Sequence, residues 1–102
     1  MATEKRRSQR IEVNDPGSIS WQSETGDSMV EKITLTNLAD NGAMIEMARK
    51  LPLRQTVLIK VPAWEIDGSA SVRYCRQKGL KYRIGLELFY SIAAKPKVQR
   101  WT

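Results

Sequence analysis

Ile66-Asp67-Gly68-Ser69-Ala70-Ser71-Val72-Arg73-Tyr74-Cys75 alternates in character over ten residues. Ile66, Gly68, Ala70, Val72 and Tyr74 fall on one side, and Asp67, Ser69, Ser71, Arg73 and Cys75 on the other. Successive side chains of an extended chain point to opposite faces, so a period of two predicts a strand with one face against a core. Gly68 and Ala70 are small enough to suit a sharply curved sheet, where a bulky inward side chain would crowd the wall. Downstream, Gln77-Lys78-Gly79 reads as a turn, and Tyr82, Ile84, Leu86 and Leu88 alternate with Arg83, Gly85, Glu87 and Phe89 to give a further strand.

Working back toward the N-terminus, Pro62-Ala63-Trp64-Glu65 reads as a turn and Thr56 to Val61 as a strand, with Pro52 closing a short linker before it. Ala43, Ile45 and Met47 face opposite to Met44, Glu46 and Ala48. Met29, Ile33 and Leu35 oppose Val30, Lys32 and Thr34, with Glu31 interrupting the inward series. Between these two strands Asn37-Leu38-Ala39-Asp40-Asn41-Gly42 is expected to be a tight connection that uses the tolerance of Asn, Asp and Gly for left-handed dihedrals. Ser23 to Ser28 reads as a hairpin loop, Gly17 to Trp21 as a short strand, and Asn14-Asp15-Pro16-Gly17 as a turn or bend. Six strands joined by short links, with no helical period before Ser91, predict an all-β fold. The expected architecture is a six-stranded antiparallel β-barrel, since closure removes the open edges of a flat sheet. The division that follows is a flexible arginine-rich arm over 1–10, a barrel over 11–90 and a basic C-terminal tail over 91–102. Pro96 limits that tail to a short helix or none.

The composition agrees with one small globule. The 102 residues are 41% hydrophobic and 27% charged, ordinary for a folded domain with a thin stability margin. No apolar run approaches the length of a transmembrane segment, the first residues do not resemble a secretory signal, and a single cysteine fits a reducing cytoplasm. The net charge of +6 is unevenly placed: residues 1–10 and 91–102 carry +3 each, and the stretch between them is neutral. Positive charge at the ends can reach an anion without straining the compact body.

Enzymatic chemistry finds little support. There is no histidine to act as a base near neutral pH, no glycine-flanked nucleophilic serine and no zinc-type cluster. The carboxylates are scattered, and Cys75 reads as an inert wall or surface residue. Trp21 and Trp64 read as wall or core, whereas Trp101 in the basic tail either packs back or meets a partner. The chain is therefore expected to bind and not to catalyse, with no cofactor. Arg6-Arg7-Ser8-Gln9-Arg10 is the strongest constellation, because guanidinium forks match both phosphate oxygens and the O6/N7 edge of guanine. Taken alone the run would serve equally for nucleic acid, phospholipid or a protein surface.

Arg6-x-x-x-Arg10 followed by Asn37-x-Ala39-x-x-Gly42 resembles the paired signature of the PilZ domain family, and Ile84-Gly85-Leu86-Glu87-Leu88-Phe89 resembles that family's closing strand. The resemblance runs from Arg6 to about Phe89 and implies a PilZ-type barrel that binds the bacterial second messenger cyclic di-GMP. It implies that Arg6 and Arg10 clamp phosphates and guanine edges with Arg7 as an auxiliary contact, and that Asn37 hydrogen-bonds a guanine or positions the arm. Gly42 would leave room for the ligand. Ala39 departs from the family pattern, which has serine there; a lost ordinary hydrogen bond costs about 0.5–1.5 kcal/mol. The implied output is a switch in which the ligand orders the arm and a separate protein effector reads the new surface. The alternative is a protein-interaction barrel of the same fold that has lost the nucleotide. DNA and RNA are not expected partners, for the strands show no exposed aromatic row flanked by positive charge.

Overall fold

A computed structural model describes residues 10–89, which form a closed barrel of six antiparallel strands. These are β1 (Ile11–Gln22), β2 (Ser28–Leu38), β3 (Gly42–Met47), β4 (Thr56–Val61), β5 (Ile66–Lys78) and β6 (Lys81–Leu88). Around the barrel they run β1-β2-β3-β6-β5-β4, and β4 closes onto β1. Arg6, Arg7 and the segment 91–102, with Trp101, lie outside the described residues. Among the described residues no helix is long and apolar enough to cross a membrane.

Alternation builds the interior as expected. Ile19, Leu35, Ile45, Ile59, Ile66 and Ile84 are fully buried, one from each strand, and Val57, Val61, Ala70 and Val72 fill the space between them. Each buried Ile, Leu or Val side chain contributes about 1.5–3 kcal/mol on leaving water. No polar or charged residue is buried among the described residues. Trp21, Trp64, Cys75 and Tyr82 pack against this core from half-buried positions. Glu31, the interruption in the β2 pattern, sits near the rim, where Arg49 Nε pairs with its carboxylate at 3.0 Å. The Arg49 guanidinium also lies 5.9 Å from the Trp21 ring centroid.

The links differ from one another. β1–β2 turns at Ser23–Asp27, where the Ser23 N–H donates to the Asp27 carbonyl at 2.9 Å. β5–β6 turns on Gly79-Leu80 alone, with Lys78 opposite Lys81. A φ of 66° at Gly79 and none positive at Leu80 fit a type II′ hairpin. The Pro62–Trp64 segment is a 3₁₀ turn ending in a left-handed Glu65 (φ 54°). β3 and β4 do not pair, so residues 48–55 cross one end of the barrel and place Leu51 in the core.

The turn expected at Asn14–Gly17 is instead continuous strand. β1 runs through Pro16, which pairs with Thr34 of β2 beyond the three residues that β1 shares with β4. An imino nitrogen is tolerated where a strand has a neighbour on one side only. The turn-forming character of this stretch is absorbed by a register shift between Glu12 and Asp15. Asp15 accepts a hydrogen bond from Trp64 Nε1 at 2.8 Å, tying the irregular stretch to the 3₁₀ turn.

Gly17 marks where the barrel shuts. A Cβ on it would lie 2.5 Å from the Lys60 carbonyl oxygen and 2.8 Å from Val61 Cγ2. The nearer obstacle is backbone and cannot rotate away. Gly17→Ala is therefore expected to destabilise the fold by about 1–3 kcal/mol in denaturant unfolding, the usual range for overpacking, while Gly26→Ala, in open space but at positive φ, loses less. Equal midpoints for the two variants would remove the closure role assigned to Gly17.

Candidate functional site

Three strand pairings slip by one residue: β1 against β2 between Glu12 and Asp15, β2 against β3 between Leu35 and Asn37, and β5 against β6 between Val72 and Tyr74. An extra residue in a strand turns the following side chains to the opposite face, and bulges are common at barrel rims for that reason. In β2 the buried residues Leu35 and Leu38 are three apart, so Asn37 points away from the core. The Thr36 hydroxyl donates to the Met44 carbonyl at 3.1 Å across this irregular point. In β5, Val72 is buried and Cys75 packs against the core, again three apart, which leaves Arg73 and Tyr74 both outside. The Arg54 N–H and the Gln55 carbonyl hold the Val72 carbonyl and N–H, at 2.7 and 3.0 Å.

The shifted registers align a row across four strands. Asn37 pairs with Met44, Met44 with Gly85, and Gly85 with Tyr74. Above this row lies an open cleft of ≈ 240 Å³ whose lining includes Arg10, Asn37, Ala39, Gly42, Met44, Arg73, Tyr74 and Gly85. Arg10, Asn37, Ala39 and Gly42 were singled out in the sequence and meet in this one cleft, although 32 residues separate the first from the last. Arg6 and Arg7 belong to the residues not described. Most of the lining is apolar. Among the described residues Arg10 makes no ion pair, whereas Arg73 Nη1 is engaged by Glu87 at 2.6 Å. Nor do the described residues contain a cluster of His, Cys, Asp and Glu able to hold a metal ion.

The connection between β2 and β3 is tighter than expected and differently built. Asn37 and Leu38 still belong to β2 and Gly42 opens β3, so the turn is Ala39-Asp40-Asn41. No residue from 37 to 42 has a positive φ, contrary to the left-handed dihedrals anticipated there. The geometry is held by hydrogen bonds: the Ala39 N–H donates to the Gly42 carbonyl at 2.9 Å and the Leu88 N–H to the Asn41 carbonyl at 2.8 Å. At Gly42 an added Cβ would meet its nearest neighbour, the Leu86 carbonyl oxygen, at 3.5 Å, an ordinary contact. Neither backbone nor packing demands glycine at this position. What its absent side chain does is keep the cleft open.

Tyr74, expected on the inner face with Val72, is the main correction. The bulge carries it to the cleft, where its ring lies directly over Gly85 in the space a Cβ would need. Its hydroxyl donates to Met44 Sδ at 3.5 Å, and the Arg76 guanidinium lies 5.6 Å from its ring centroid. Tyr74 and Arg73 were not singled out as site residues. The available signal was Gly85, since a lone glycine in an apolar strand marks a bulge or a close approach by its neighbour.

No protein-family model and no curated protein matches the chain. Among solved structures it is similar to the PilZ domain of YcgR from Escherichia coli with c-di-GMP, at 13% sequence identity and a TM-score of 0.57, over 95% of this chain and 85% of that one. The likeness is one of fold: a six-stranded antiparallel closed barrel with PilZ-type topology.

Two glycine substitutions separate packing from open space. Gly42→Ala is expected to melt at the same temperature as the parent or slightly higher, since alanine restricts the unfolded chain and clashes with nothing. Gly85→Ala must push the Tyr74 ring aside and is expected to cost about 1–2 kcal/mol. In a double-mutant cycle with Tyr74→Ala that loss shrinks, because the obstacle is gone. Additive effects in the cycle would show that the ring does not rest on Gly85 in solution.

Proposed function

We infer that this barrel is a receptor for cyclic di-GMP in a bacterial cytoplasm, with the cleft beside the Ala39–Asn41 turn as its binding site. The observation that carries the reading is the meeting of Arg10, Asn37, Ala39 and Gly42 in a single cleft, in the order of the PilZ signature and, Ala39 apart, with its residue types. Arg10 supplies fixed positive charge for a phosphate or for the Hoogsteen edge of guanine. Asn37 offers both a donor and an acceptor to a base edge, and Gly42 leaves the floor free for close approach. Tyr74 forms the opposite wall of the cleft, its ring resting over Gly85. Arg6 and Arg7 complete the anion clamp from the N-terminal arm, which the ligand fixes across the cleft. The altered surface of arm, ligand and barrel is then read by a separate protein chain. Ala39 weakens the site relative to a serine, because the turn presents a methyl where a hydroxyl would donate.

Calorimetric titration of the full chain with cyclic di-GMP, beside GTP, cyclic GMP and a single-stranded oligonucleotide, tests the reading. Saturable heat is expected for the cyclic dinucleotide alone, lost in Arg10→Ala and reduced in the fully stable Gly42→Ala. Ala39→Ser is expected to tighten binding about two- to tenfold. A silent titration up to about 100 μM ligand, with the protein folded, would discard the receptor reading. A barrel of the same fold that contacts only proteins would then take its place.

A further inference from the structure

The outer face of the β5–β6 hairpin carries two successive cross-strand pairs of like charge. Arg76 stands opposite Arg83, and Lys78 opposite Lys81. Directly opposed residues of an antiparallel pair have Cβ atoms about 4.5–5.5 Å apart, and like charges there destabilise the sheet. Among the described residues a single carboxylate, Glu46 of β3, serves this group: its Oε2 accepts from Arg83 Nη2 at 3.4 Å and from Lys78 Nζ at 3.5 Å. Four cations thus face one anion. Arg83 Nε is in addition buried with no acceptor among the described residues. At the tip, between Lys78 and Lys81, Leu80 is 94% exposed, the most exposed of the large apolar side chains described.

A hairpin with uncompensated repulsion and a bare leucine at its turn is less stable by itself than its neutral or alternating counterpart. The deficit is removed when carboxylates from outside take the place that Glu46 fills only in part. We propose that this face is a docking surface for an acidic protein segment, one with two or more carboxylates flanking an apolar side chain that covers Leu80. Glu46 displays the recognition chemistry, one carboxylate oxygen shared between an arginine and a lysine. Nucleic acid fits less well: Tyr82, between Lys81 and Arg83, packs against the core, and Tyr74 has its ring on Gly85 with Arg76 against it, which leaves no free platform for a base. A lipid surface fits less well too, because one leucine is a small anchor for a bilayer. None of Arg76, Lys78, Leu80, Lys81 and Arg83 lines the cleft, so the surface stands whether or not the cleft takes a nucleotide.

Fluorescence anisotropy of the full chain with a labelled peptide of Glu and Asp around one central Leu tests the assignment. It is run beside the same peptide with Gln and Asn, an oligonucleotide of equal charge and phosphatidylserine vesicles. The acidic peptide is expected to bind saturably, and more weakly as salt rises. Lys81→Glu and Leu80→Ser are each expected to weaken it about three- to tenfold. Lys81→Glu turns a repulsive pair into an attractive one, so its melting temperature should not fall, which separates lost binding from lost folding. Equal affinity for the amide peptide, or affinity unchanged in both variants, overturns the proposal. So does tighter binding to the oligonucleotide or to the vesicles than to the acidic peptide.

Discussion

Three residue pairs, Ser18 with Lys60, Ile19 with Ile59 and Ser20 with Leu58, close the sheet into a barrel. Every other strand pairing is longer. This short seam decides whether the interior is sealed, because without it β1 and β4 would be open edges and the aliphatic side chains between them would face water. Gly17 lets β1 approach the carbonyl of Lys60, and Ile19 and Ile59, paired across the seam, are both fully buried. Closing a sheet through one narrow contact forces the remaining strands to bend, and the bending is taken up by extra residues in the strands.

The same irregularities make the cleft. A perfectly regular β2 would carry Leu38 outward and Asn37 inward; a perfectly regular β5 would bury Tyr74. Each inserted residue exchanges those positions, so that a polar amide and an aromatic ring come to face each other over Met44 and Gly85. The floor is low at Gly42, which contributes no side chain, while the bare backbone of Gly85 is covered by the Tyr74 ring. Shape and chemistry at this end of the barrel thus arise from where the alternation fails, while the core arises from where it holds.

That division explains what could be read in advance. Strands with a clean period of two, such as Thr56–Val61 and the buried set Ala43, Ile45 and Met47, were legible because alternation is a local property. The closed barrel followed from their number and short links. Arg10, Asn37, Ala39 and Gly42 were legible only through a resemblance of motif, since nothing in their spacing alone brings positions so far apart to one cleft. Asn14–Gly17 misled because turn-forming residues also occur in bulges, and only pairing with β2 distinguishes the two. Tyr74 misled because the extra residue in β5 is decided by its neighbours, Gly85 beneath the ring and residues 54–55 holding Val72. Neither lies within the stretch whose pattern is being read. The repulsive pairs of the last hairpin were hidden likewise, for opposition across a turn depends on register.

The interior described here contains no buried polar side chain. Such a centre imposes no requirement for a particular donor or acceptor, only for bulk and dryness, and aliphatic residues of similar volume exchange within it at little cost. Over long divergence its letters are free to wander while its outline persists. What constrains particular residues in a barrel of this kind therefore lies less in its heart than in its flaws, the few places where the weave of the sheet skips a stitch.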